Sequence, residues 1–402
     1  MSERIIIVGA GLGGLSAALA VRQAGHDVLV IERASHFSDS AGAGITITAP
    51  GMAAMDALGL RRQIHAASAP APSTPLIHYA TGEMFYNRAV PNLEDGEQEG
   101  PHRFIPRVTH RADLHALLND ACLDAGVDIL TDASVIGYEQ DRGGVTALLA
   151  DGRRLDGDVL IGADGLRSKV RAQMIGDAEP NHTGAVAWRA LVPVELVEDL
   201  LGGMDIAIHF GPTAHFMRYL VRNRTMLNCV GLVRTDAQAR DGWATPSTVE
   251  ELTGELAGWH HGLIDIIERI PEGMLFKWPL LDRDPLDNWV DGRVALLGDA
   301  AHAMLPYYGI GATIAMEDGV VLGRAMALEP DPLLALQTYQ RSRLLRANSA
   351  LLASRRLGEI YMGGSALDVI TQPALMDWNI YAYDPGTVPL VQAGSHAETG
   401  EV

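Results

Sequence analysis

The residues best able to do chemistry in this chain lie in three places. Near the start, Gly9, Gly11 and Gly14 stand in the order G-x-G-x-x-G, and Glu32 closes the next apolar run. That order suits a dinucleotide. The first glycine permits a tight turn, the second lets backbone amides approach a pyrophosphate, and the third lets a helix pack close to its strand. The helix start offers unpaired N–H groups to the phosphates, and an acid ending the second strand can accept from ribose hydroxyls. Further on, "AHFMRYLV" carries His215 and Tyr219. Strand alternation puts His215, Met217 and Tyr219 on one face and Phe216, Arg218 and Leu220 on the other. A histidine and a tyrosine aimed into one pocket could take up or relay a ligand's proton, given a base titrating near working pH. A satisfied strand histidine is the competing reading of His215. Near the end, "GDAAHAMLPYYGIGA" sets Asp299 after a buried strand, Tyr307 directly after Pro306, and Gly311 and Ala312 at a helix start. Tyr307 is a proton relay or a wall. His302 fixes the loop rather than reacting.

The elements that must position these residues read as alternating strands and helices. Arg4–Val8 is a β-branched run, Leu12–Ala24 an Ala- and Leu-rich helix, and Asp27–Ile31 a second buried strand. Residues 74–104 form strands and loops around Gly82, with an acidic turn at Glu94–Glu99. Thr109–Leu118 is expected to be a helix carrying Arg111 in its first turn. Strands follow at Asp128–Thr131, Val135–Gln140 and Val145–Ala150, the last two joined by a hairpin turn. Asp158–Ile161 leads into Gly162-Ala163-Asp164-Gly165 and a short helix ending at Arg171. Residues 180–280 are strand-rich and offer a substrate wall, with one or two helices over Pro246–Ile270 that carry His260 and His261. Arg293–Leu297 and a helix from about Ala312 to Leu328 close the pattern. A helix start aimed at a ring that gains negative charge stabilises it by about 0.3–1 kcal/mol, up to ~2 when partly buried. An isoalloxazine meets that requirement and a nicotinamide does not.

Composition narrows the classes. With 48% hydrophobic and 20% charged residues the chain is globular, and its net charge of −19 argues against nucleic acid as a partner. Cys122 and Cys229 are too few for a metal site or a disulfide framework, and fit buried thiols in a reducing compartment. There is no signal-peptide pattern and no run approaching a membrane span. A soluble cytoplasmic protein, without metal or membrane, is expected. No HExxH or G-x-S-x-G segment supports hydrolase chemistry.

Together the motifs resemble the FAD-dependent aromatic hydroxylases, the single-component flavoprotein monooxygenases. The matching pieces are the glycine motif with Glu32, "GADGLRSKVR" at 162–171 and "GDAAHAMLP" at 298–306, within a likeness covering residues 1–350. "GDAAHAMLP", "GPTAHFMRYLV" and "WNIYAYDP" are most similar to the salicylate hydroxylase and 6-hydroxynicotinate 3-monooxygenase group. The resemblance implies bound FAD, with Gly9, Gly11 and Gly14 at the pyrophosphate, and Glu32 followed by Arg33 at the adenosine ribose. It implies Arg111 at the flavin side chain, Asp299 at the ribityl and pyrophosphate region, Pro306 as the active-site proline, and Gly311 with Ala312 at the pyrimidine edge. Asp164 belongs to the motif shared between FAD and the reduced nicotinamide. Without a second glycine motif, NAD(P)H visits, reduces the flavin and leaves. In the family O2 then gives a C4a-hydroperoxyflavin whose distal oxygen attacks an activated ring.

The implied fold is α/β. A Rossmann-like FAD-binding domain (GR2-type) is discontinuous over 1–75, 101–178 and 283–350, with an inserted β-sheet-rich substrate domain from 76–100 and 179–282. A C-terminal helical segment spans 351–386, and a disordered tail 387–402. The implied partner is a small phenolic or hydroxypyridine carboxylic acid, salicylate-like, taken by a monomer or homodimer. Ile310 stands where the group has Gln, Thr46 where the hydroxynicotinate enzymes have His, and Tyr307 where His or Gln often follows the proline. These departures bear on the substrate rather than the cofactor. A flavoprotein dehydrogenase or oxidase on a non-phenolic substrate, and a non-catalytic flavin-binding protein, stay open at this stage.

Overall fold

The computed structural model describes residues 2–37, 44–89, 104–176, 178–235, 245–363 and 378–393. Its first layer is a six-stranded sheet in the order Val290–Asp291, Val294–Leu296, Val159–Gly162, Arg4–Val8, Asp27–Ile31, Asp128–Leu130. Every pair is parallel except that of the short edge strand Val290–Asp291. Ile5, Ile6 and Ile7 are wholly buried, as expected where a parallel sheet is covered on both faces.

The helix Leu12–Gln23 is buried from Leu12 to Val21, because it lies between that sheet and a second helix, Gly311–Leu328. The two backbones nearly touch. A Cβ on Gly319 would sit 2.5 Å from Ala17 N, and one on Gly323 would sit 2.5 Å from the Ala20 Cβ. Small residues four apart on one helix and three apart on the other therefore set the spacing.

The second layer is an eight-stranded sheet in the order Thr245–Pro246, Leu275–Asp282, Asn181–Pro193, Met226–Arg234, Ala214–Val221, Ile206–Phe210, Ser73–His78, Met84–Ala89. One face packs Trp188 and Phe216 against Leu252, Leu263, Ile266 and Ile267 of the helices Val249–Glu255 and His261–Glu268. The other face looks into the molecule. Gly44–Ile47, Arg107–His110 and Ala69–Pro70 form a small sheet, and Gly44 donates its N–H to Asn228 Oδ1 at 2.6 Å. Among the described residues no helix is long and apolar enough to cross a membrane.

Several elements differ from expectation. The helix expected from Thr109 begins at Arg111 and runs to Asp124; Arg107–His110 is a strand because Val108 and Thr109 pair with Thr46 and Ile45. The short helix expected to end at Arg171 spans Lys169–Ile175, with the Ser168 hydroxyl accepting from Arg171 N. Arg154–Gly157 is an additional strand, paired with Val145–Leu149. His260 precedes its helix and caps it, Nδ1 accepting from Gly262 N.

An unbroken helix, Pro332–Met362, crosses residue 350. Residues 387–393, expected as part of a disordered tail, lie along that helix instead. Val391 N donates to Ser342 Oγ and Ala393 N to Thr338 Oγ1, both at 2.9 Å. Two helix hydroxyls thus satisfy amides that composition alone leaves without partners. The Glu94–Glu99 turn and residues 394–402 lie outside the described residues.

The helix contact makes a prediction. Gly319→Ala forces a methyl into the Ala17 backbone and should cost about 1–3 kcal/mol, read as a lower urea midpoint; Gly59→Ala, where the added Cβ meets nothing within 4 Å, should cost only the strain of its positive φ.

Candidate active site

A cavity of about 860 Å³ lies between the two layers, towards the upper end of the roughly 300–1,000 Å³ usual for ligand sites. One wall comes from the C-terminal ends of the parallel strands: Gly11 to Gly14, Ala163, Gly165 and Leu297 to Asp299. The opposite wall is the inner face of the eight-stranded sheet. Ligands of open α/β sheets bind at such strand ends.

The glycine turn leaves no room for a side chain at its first and third glycines. Gly9 has φ 106°, and a Cβ there would meet Ala163 O at 2.4 Å; one on Gly14 would meet Gly9 O at 2.0 Å. Gly11 faces open space. It caps the helix Leu12–Gln23 with no side-chain hydrogen bond and no acid in the first turn. Gly311–Leu328 likewise starts without a side-chain cap or a first-turn acid, and Gly311 and Ala312 line the same cavity. Two helix starts with unpaired amides thus border one space, a fit to FAD, which carries a diphosphate and a ring that turns anionic on reduction.

Other expected cofactor residues divide into two sets. Arg111, Asp299 and Pro306 line the cavity, Arg111 as the first residue of its helix and Asp299 as the first of the short helix Asp299–His302. Glu32 lies beside it, its two carboxylate oxygens accepting from Ala10 N at 2.8 Å and Ala34 N at 2.9 Å. Arg33 is exposed and outside the lining. Asp164 is turned away, accepting from Ser168 Oγ, Lys169 N and Val170 N; burial pushes its carboxyl up although those donors oppose the shift.

A buried ionic cluster holds the loop that bears Asp299. His302 Nε2 lies 2.6 Å from Asp318 Oδ2, Arg343 Nε donates to Asp318 Oδ1 at 2.7 Å, and Gly298 N donates to Asp318 Oδ2 at 3.2 Å. Arg343 also pairs with Glu317 at 2.7 Å, and Glu317 accepts from Arg346. Burial alone would raise the Asp318 carboxyl, but His302 and Arg343 outweigh it and hold it below the usual range. His302 fixes the loop, as expected.

At the other end His215, Met217 and Tyr219 all face the cavity, while Arg218 reaches away to Met204 O and Leu201 O. His215 sits in an aromatic box. It stacks on Phe210 (5.5 Å between centroids, 25°) and meets Tyr361 edge-on at 5.4 Å, with Tyr307 at 5.7 Å. Burial lowers its pKa to about 3, and Nδ1 has no hydrogen-bond partner. The imidazole is neutral, and the expected base titrating near working pH is not found at His215 in this apolar box. It can accept a hydrogen bond from a ligand hydroxyl. Burial pushes the phenols of Tyr219 and Tyr307 up, so both stay protonated donors.

The sequence pattern of the FAD-binding domain family matches residues 3–354. The chain belongs to that family. It is 34% identical to 3-hydroxybenzoate 6-hydroxylase 1 of Aquipseudomonas alcaligenes, over 96% of this chain and 99% of the relative. It is 30% identical to 6-hydroxynicotinate 3-monooxygenase of Pseudomonas fluorescens, over 97% of each. A salicylate hydroxylase substrate complex superposes with a TM-score of 0.79 at 26% identity, covering 96% of each chain. The protein is therefore an FAD-dependent enzyme of the flavoprotein monooxygenase type.

This family member's cavity also holds residues that strand alternation and motifs did not single out: Phe210, Arg189, Arg88, Tyr361 and Tyr381. Phe210 pairs with His215 across a hairpin, and the turn "GPT" between two strand-like runs was the signal available for it. Tyr361 and Tyr381 come from beyond residue 350, and no local pattern directs them to the cavity.

Two outcomes follow. Asp318→Ala leaves Arg343 and His302 buried beside a vacancy and should cost about 3–5 kcal/mol, read by urea unfolding, with FAD content falling in parallel. His209 and His215 are both buried with pKa lowered to about 3 from 6.5. Their neutral forms are favoured on folding, so stability is full above pH 6.5 and is lost as pH falls towards 3. At pH 5 each should cost roughly 2 kcal/mol, and His209→Gln should remove about half of the fall measured by urea unfolding between pH 7 and 5.

Proposed function

We propose that this protein hydroxylates a small phenolic or hydroxypyridine carboxylic acid, consuming one NAD(P)H and one O2. The overall change is Ar–H + O2 + NAD(P)H + H⁺ → Ar–OH + NAD(P)⁺ + H2O. The observation that carries the reading is a single cavity bordered by two uncapped helix starts at one end and an aromatic box with His215 at the other.

FAD, when bound, supplies the redox chemistry and the activation of oxygen; the chain's own residues hold and orient. The amides after Gly11 take the diphosphate, with Glu32 and Arg33 at the adenosine ribose, Asp299 and Arg111 along the linking chain, and Gly311 with Ala312 at the pyrimidine edge. Pro306 shapes the turn beside the ring, and Asp164 steadies the segment after Ala163. A substrate ring lies over Met217 beside the box that Phe210, Tyr307 and Tyr361 form around His215, where aromatic contacts and burial both favour it. The ring's hydroxyl donates to His215, and Tyr219 and Tyr307 donate to the polar groups they meet. The aromatic wall displaces water from the side of the ring it covers, which lowers the dielectric there. Relatives of this chain include a 3-hydroxybenzoate 6-hydroxylase and a 6-hydroxynicotinate 3-monooxygenase, and that substrate class fits a box of this composition. A soluble monomer or homodimer is the form proposed.

The test is oxidation of NADH and NADPH by FAD-loaded protein with a panel of hydroxybenzoates, hydroxynicotinates and uncharged phenols, with peroxide counted. Strong stimulation by one hydroxyaromatic acid with little peroxide is the expected result. Oxidation that ignores every aromatic and ends in peroxide contradicts it. His215→Ala removes one hydrogen bond to the ring hydroxyl and should lower the stimulated kcat/KM by roughly tenfold while FAD content is unchanged.

A further inference from the structure

Arg189 is a half-buried cation with no anion beside it among the described residues. Its side chain lines the cavity, its Nε is buried with no hydrogen-bond partner, and its guanidinium lies over the Trp278 ring, 4.8 Å from the centroid. Among the described residues no carboxylate pairs with it. Burial depresses its pKa, with only the Tyr219 phenol opposing that shift and Arg111 adding to it. A charge taken out of water with no counter-ion costs several kcal/mol, and the aromatic face recovers only part of that. Such a group is one half of an ion pair.

Strand register says what the other half would be attached to. Arg189 pairs with Val230, and Val230 pairs with Met217. Met217 lies midway between His215 and Tyr219 on the same face. Arg189 therefore stands two strands across, level with the midpoint of the His215–Tyr219 pair. At about 4.8 Å per strand and 3.4 Å per residue, its Cα is roughly 12 Å from either one. Long side chains converging from those three points leave room for one flat ring over Met217 and Val230.

We propose that Arg189 holds the carboxylate of the substrate while His215 takes its hydroxyl, so that this pair selects hydroxyaromatic acids and fixes which ring carbon meets the flavin. The inference rests on the monooxygenase reading above and adds a residue to it. A planar fork of donors matches a carboxylate, and Trp278 holds the fork from below. The alternating small residues Ala185 and Ala187 on the same strand face leave Arg189 as its one charged member.

The test uses FAD-loaded wild type, Arg189→Met and Arg189→Lys. Each is titrated with salicylate, 3-hydroxybenzoate and the corresponding primary amides, read by the change in flavin absorbance. Wild type should bind at least one acid about tenfold or more tightly than its amide. Arg189→Met should weaken acid binding by about 30–100-fold and leave amide binding within about threefold, with Arg189→Lys in between. Because the cation has no anionic partner among the described residues, FAD content should not change and the thermal midpoint of Arg189→Met should equal or exceed that of wild type. Equal losses for acid and amide, loss of FAD, or no acid preference in wild type would each overturn the proposal. None of those results bears on substrate-stimulated NAD(P)H oxidation by the FAD-loaded wild type; failure of the underlying reading shows separately, as the absence of stimulation of wild type by any aromatic, acid or not.

Discussion

Two helices can present their N-termini to one cavity only if their axes run close together, and here the limit is backbone contact. Gly319 and Gly323 on one helix meet Ala17 and Ala20 on the other with no space for a methyl group. Because Leu12–Gln23 is also fixed against the strand Arg4–Val8, this contact carries the start of Gly311–Leu328 to the same side of the parallel sheet as Gly11. The distance between the two sets of unpaired amides is thus set by four small side chains. Both N-termini remain uncapped by the chain, so their amides are completed only by a ligand or by solvent.

The buried cluster around Asp318 extends that constraint to the loop. One carboxylate accepts from Gly298 N and Arg343 and contacts His302, tying three elements at the point where the strand Val294–Leu296 gives way to Asp299. Arg343 brings in the long C-terminal helix, and the same helix delivers Tyr361 to the aromatic box. Cofactor wall and substrate wall are therefore coupled through one helix. On the far side, Gly44 bonded to Asn228 joins the small sheet to the substrate sheet beneath Tyr219. The opening between layers is framed by these two ties.

What was legible in the sequence was local. The glycine turn, the buried strand before it and Glu32 after it lie within one βαβ unit, and alternation along Ala214–Val221 separated His215 and Tyr219 from Arg218. What was not legible depended on distant partners. Thr109 takes a strand conformation because Ile45 pairs with it, and residues 387–393 are ordered by hydroxyls of Thr338 and Ser342. Phe210 enters the box through hairpin register and Tyr361 through helix packing. The His215 environment was not legible either: alternation placed the residue on the cavity face, but the burial among rings that lowers its pKa comes from Phe210, Tyr307 and Tyr361, brought there by distant elements. Asp164, which a shared motif places near the cofactors, spends its acceptors on its own segment.

The central claim is that one cavity brings an aromatic ring to a flavin so that an oxygen atom from O2 enters the ring. Its most direct test is turnover of the best-stimulating hydroxyaromatic acid under ¹⁸O2, with the product examined by mass spectrometry. The account predicts one ¹⁸O atom per product molecule, formed in step with NAD(P)H consumed. An oxidised product without label, or NAD(P)H consumption that yields only labelled peroxide, would contradict it.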